Sequence, residues 1–83
     1  MAHSLLAFAL LMTTYVLSQH PTYWHVTRYG EEQGEPLFQS TSEEDALVAI
    51  LAKAQEDRPS QIVRIALSGE SRIVARFEND IVE

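Results

Sequence analysis

The chain has no cysteine. Disulfides, thiolate zinc sites and cysteine nucleophiles are therefore excluded, and the absence fits a reducing compartment. Basic residues are scarce: six Lys and Arg stand against twelve Asp and Glu, a formal net charge of -6. Such a chain is a poor general binder of phosphate backbones, since that affinity comes from basic side chains releasing counterions. Glycine and proline number three each, and no repeat, low-complexity tract or interdomain linker is visible. With 83 residues the chain makes one domain, which buries about 60% of its unfolded surface. The 46% apolar content supplies one modest core and not a second.

A long apolar run is also missing. Residues 5–17 are apolar or small, broken by Thr13 and Thr14. As a helix they would span about 20 Å, short of the roughly 30 Å hydrocarbon core, which argues against membrane insertion. Their length does suit the apolar part of a signal peptide, and Val16-Leu17-Ser18 supplies small residues near a cleavage point. The basic segment of such a peptide is absent, because only the amino terminus and His3 precede the run. A strand reading fits better. Residues 14–19, TYVLSQ, are rich in β-formers, and His20-Pro21 follows as a turn signal. The expectation is a cytoplasmic domain over 12–83 with an apolar N-terminal arm or extension at 1–11, Met12 being an alternative start. Export, with residues 1–18 as a signal peptide, is the alternative.

Catalytic motifs are lacking too. There is no G-x-S-x-G elbow and no P-loop, and the carboxylate pair Glu31-Glu32 falls in a Gly- and Glu-rich loop. His20, Tyr23 and His25 lie close in sequence, but two histidines five apart across a proline match no ligand spacing. Neither catalytic, cofactor nor metal residues are assigned, and the chain reads as a non-enzyme.

What is present is a pattern of strands around one helix. TYWHVTRY alternates, with Trp24, Val26 and then Arg28 on one face and Tyr23, His25, Thr27 and Tyr29 on the other. GEEQGEP, residues 30–36, reads as an exposed loop, and PLFQS as a short strand near an edge because Pro36 opens it. Ser42 with Asp45 three residues on starts a helix, and Glu43, Glu44 and Asp45 suit its positive end. Leu47, Ile50, Leu51 and Ala54 form its main apolar stripe, Val48, Ala49 and Ala52 widen it, and Pro59 ends it. Residues 61–80 form a hairpin turning at Ser68-Gly69-Glu70-Ser71. Its expected phase turns Val63, Ile65, Leu67, Ile73, Ala75 and Phe77 toward the helix and Arg64, Arg72, Val74 and Arg76 outward. Trp24, Val26, Leu47, Ile50, Leu51, Val63, Ile65 and Phe77 are the expected core.

The fold class is therefore α+β: a two-layer sandwich, β-β-β-α-β-β, whose antiparallel sheet of four to five strands carries one main helix on one face. Tyr15-Val16, Trp24-His25-Val26, the helix opening Ser42-x-x-x-Ala46, Gly69 and Ile73-Val74 resemble a family of short bacterial and phage proteins of unknown function. That family has a YxV…WxV…T-x-E-E-A pattern. The resemblance runs over residues 14–79, departs at the acidic loop and at residues 1–11, and implies a fold but no site.

Two surfaces follow. Tyr23, His25 and Tyr29 would share the outer sheet face with Arg64, Arg72 and Arg76, and aromatics interleaved with arginines can bind single-stranded nucleic acid. Ordinary solvent-facing strand residues give the same pattern, and the net charge opposes it. Glu31, Glu32, Glu35, Glu43, Glu44 and Asp45, with Glu56 and Asp57, would make an acidic face fit for a basic partner, as in small phage inhibitors; solubility accounts for the same charges. The leading expectation is a protein-interaction module that self-associates as a homo-oligomer, since residues 5–11 would otherwise expose a large apolar patch.

Overall fold

The computed structural model describes residues 12–30 and 34–78. The arm at 1–11 and the loop acids Glu31 and Glu32 lie outside the described residues. Five strands and one helix follow in the order β1 (Thr13–Gln19), β2 (Trp24–Tyr29), β3 (Glu35–Ser40), α1 (Glu43–Glu56), β4 (Ser60–Ile65) and β5 (Ser71–Phe77). The architecture is α+β, one sheet in the spatial order β3-β2-β1-β4-β5 with α1 packed on one face. Among the described residues no helix is long and apolar enough to cross a membrane.

Three of the four strand pairs are antiparallel, as the alternation and short turns imply, but β1 and β4 run parallel. The helix is the reason. It carries the chain from β3, on one side of the sheet, across the face to the far side of β1. β4 therefore starts from the same end as β1, giving a crossover instead of a hairpin return. β1 becomes the central strand, paired along its length on both sides.

The local signals act as physics requires. Ser42 Oγ accepts from the Asp45 amide at 3.2 Å, and the three acids of the first turn meet the helix's positive end. Ala46, Ile50 and Ala54, spaced by four, are the buried line of α1. Leu47 and Leu51 pack half-buried against the core. Val48 does not widen the stripe: it is 62% exposed. Two alanines on the contact line let the helix lie close to the sheet, over Tyr15, Leu17, Trp24, Val26 and Ile62.

The β4 phase is opposite to expectation. Ser60 and Ile62 are fully buried beneath α1, and Ser60 Oγ donates to the Ala54 carbonyl. Val63 and Ile65, expected in the core, stand half-buried on the other face, and Leu67 is exposed. A one-residue slip exchanges every side chain between faces. β5 then carries a bulge: Ile62 pairs with Ala75 but Val63 pairs with Ile73, which leaves Val74 as the extra residue. Ala75 and Phe77 consequently reach the core as expected, while Ile73, two residues earlier, turns to the opposite face and is 52% exposed.

Candidate interaction surfaces

The face away from α1 is set by the inward residues of β1 and β2. Because Tyr15, Leu17, Trp24 and Val26 point to the helix, their neighbours Val16, His25, Thr27 and Tyr29 point away. Register extends this row across the sheet: Thr27 lies beside Val16, Val16 beside Val63, and Val63 beside Ile73. Three aliphatic side chains thus line up on three adjacent strands, ending at an exposed edge, with Ile65 next to them on β4. No described element lies over this face.

Aromatic groups stand at both ends of β2. Beside the β1–β2 turn, the His20 ring stacks on Tyr23 at 4.6 Å and 8°, and meets His25 edge-on at 6.2 Å. Thr27 Oγ1 lies 3.3 Å from His25 Nδ1. At the far end Tyr29 is 45% exposed. Its ring rests against Gly34, where an added Cβ would come within 2.4 Å of it. Arg76 joins this face on β5, 3.3 Å from Gln61 Oε1.

Of the six residues expected on one interaction face, Tyr23, His25, Tyr29 and Arg76 share it. Arg64 and Arg72 do not. The same slip that buries Ile62 turns Arg64 to the helix side, where its Nε donates to Glu43 Oε2 at 2.6 Å. Its guanidinium sits 5.0 Å from the Trp24 ring centroid. Arg72 lies directly opposite Arg64 on the ladder and so takes the helix side as well.

The acidic residues do not form one face. Glu43, Glu44 and Asp45 crowd the start of α1, Glu35 opens β3, and Glu56 and Asp57 close the helix at its other end. Asp57 is occupied structurally. It accepts from Arg28 Nε at 3.1 Å and, at the same oxygen, from the Tyr15 hydroxyl. This is the partner that Arg28, a charge on the inward phase of β2, requires. Tyr15, Arg28, Leu37, Lys53, Glu56 and Asp57 line a pocket of about 280 Å³ around it.

The tie has a pH signature. The Tyr15 hydrogen bond, and then the Arg28 guanidinium, hold the Asp57 carboxyl below its ordinary value. Burial, and then the bond to Asp57, push the Tyr15 phenol up. A carboxylate lowered by folding stabilises the fold above its unfolded pKa and loses that contribution as pH falls through the folded one. A raised phenol does the reverse at the alkaline end. We expect Asp57→Asn to flatten the acid limb of a stability–pH profile below about pH 4. Tyr15→Phe should remove the alkaline loss near the ordinary phenol range, about pH 10 and above. Urea midpoints measured across pH check both, and an unchanged acid limb in Asp57→Asn contradicts the assignment.

Among the described residues no group of three or more His, Asp or Glu side chains gathers as a metal site. Comparison with known proteins gives no match: no family model, no curated protein and no solved structure matches the chain.

Proposed function

We propose that the protein is a small, non-enzymatic interaction module that self-associates through the sheet face opposite α1. The observation that carries this reading is the row Val16–Val63–Ile73 on that face. It is an apolar centre rimmed by Tyr23, His25, Tyr29 and Arg76, the composition of a protein contact patch. The edges favour the face over strand addition. β3 has Pro36 and a register shift beside Leu37, while β5 has the Val74 bulge and two arginines. Such features blunt edge-to-edge pairing. Five strands at about 4.8 Å and six residues at about 3.3 Å make a face of roughly 24 by 20 Å, toward the small end of specific contacts. The association is accordingly expected to depend on concentration.

Sedimentation of the full chain over a concentration series tests this. The wild type should shift from monomer to dimer, and Ile73→Glu, a change at an exposed position, should remain monomeric with an unchanged circular dichroism spectrum. A wild type that stays monomeric throughout, or an Ile73→Glu variant that still dimerises, refutes the reading.

Single-stranded nucleic acid binding is the weaker alternative, since only one arginine shares a face with the aromatics. It requires tight binding at low salt that falls steeply as salt rises.

A further inference from the structure

On the helix side of the sheet, Arg64 and Arg72 stand directly opposite each other across the β4–β5 ladder. Like charges in that position repel. One of them is held: Arg64 is fixed by Glu43 and by the Trp24 ring. The other, Arg72, has no hydrogen-bond or ion-pair partner among the described residues. Between them, closed by Ala66 and Glu70, lies a pocket of about 280 Å³. The hairpin fixes its wall, because the Ala66 amide donates to the Glu70 carbonyl at 2.8 Å. A guanidinium offers five N–H donors. The Nε of Arg64 is engaged with Glu43, and Arg64 and Arg72 both line a pocket whose one acidic lining residue among the described residues is Glu70. Donors outnumber acceptors there, in a chain that is otherwise acidic.

We infer that this pocket is a carboxylate-binding site. The Arg72 fork takes the two oxygens of one carboxylate, and the already positioned Arg64 contributes from the other side. A monoanion suits it better than a phosphate. Glu70 on the wall and Glu43 beside Arg64 repel a second negative charge, and the net charge of -6 opposes approach of a polyanion. The carboxylate comes either from a free organic acid or from an acidic side chain of a protein, and the two bind with the same chemistry. The site lies on the opposite side of the sheet from the proposed contact face, so the two readings stand or fall separately.

The test is an amide chemical-shift titration of the full chain at constant ionic strength, balanced with chloride. The probes are acetate, a capped Gly-Glu-Gly peptide and inorganic phosphate. Acetate or the peptide should produce saturable shifts at residues 64–66 and 70–72. Arg72→Gln should weaken them about tenfold, the scale of one lost charge-assisted contact, and Glu70→Gln should strengthen them. Equal affinity for acetate and peptide assigns the source to free organic acids, and clearly tighter peptide binding assigns it to a protein side chain. Shifts that do not saturate, that persist unchanged in Arg72→Gln, or that are stronger with phosphate overturn the inference. Spectra of both variants that overlay the wild type elsewhere separate loss of binding from loss of fold.

Discussion

Ile62→Ala lowers the unfolding free energy by about 2–5 kcal/mol, while Ile65→Ala, three residues along the same strand, costs clearly less. Ile62 is fully buried between Tyr15 of β1 and Ala75 of β5, under α1. Truncation there leaves a cavity that close-packed neighbours cannot fill. Ile65 is half-buried on the face away from the helix, beside Ser18 and Ser71. Its truncation removes contacts next to solvent, where no enclosed void forms. Urea denaturation of the two variants measures the difference. Equal losses, or a larger loss at Ile65, would mean that β4 presents its other phase to the helix.

That pair of residues also marks where the sequence stops being legible. In β2 every strong apolar residue falls on one phase, so Trp24 and Val26 are read inward without ambiguity. The helix start is written in Ser42 and the acids after it, and its end in Pro59. In QIVRIAL, by contrast, aliphatic side chains occupy both phases, and Val63, Ile65 and Leu67 outvote Ile62. What decides the phase is tertiary. Only Asp57, Arg58 and Pro59 link α1 to β4, and Ser60 must sit where its hydroxyl can reach the Ala54 carbonyl. The bulge at Val74 is equally silent, since no glycine or proline marks it.

The six-residue interaction face inherits both errors. Tyr23, His25, Tyr29 and Arg76 lie where alternation puts them, whereas the β4 slip carries Arg64 to the other side and the Val74 bulge carries Arg72 there. The Tyr15–Arg28–Asp57 tie had one visible signal, an arginine on the inward phase of β2. Its partner lay 29 residues away and could not be read from spacing.

Removing residues 2–18 abolishes cooperative folding, whereas removing residues 2–11 leaves a folded domain. The shorter deletion ends before the first strand. The longer one takes nearly all of β1, and with it Tyr15 and Leu17, both in the buried core. Among the described residues β1 is also the only strand joining the two halves of the sheet, β3-β2 on one side and β4-β5 on the other. Without it the halves would expose unpaired backbone groups at two new edges, which water solvates but which no longer order the core. Loss of two buried side chains alone costs several kcal/mol, comparable with the whole stability of a small domain. Thermal unfolding and amide exchange of the two truncations provide the comparison. A 2–18 deletion as stable as the full chain would remove β1 from the fold and would favour reading those residues as a cleaved export segment.

Self-association is proposed to bring two copies together at the face opposite α1. The most direct measurement is an isotope-filtered NOE experiment on a mixture of labelled and unlabelled chain at a dimer-forming concentration. It reports only contacts between copies. Intermolecular cross-peaks are expected from the methyl groups of Val16, Val63 and Ile73, with contributions from the rings of Tyr23 and Tyr29. Cross-peaks confined to Val48 on the outer side of α1, or to Val74 on the β5 edge, would contradict it.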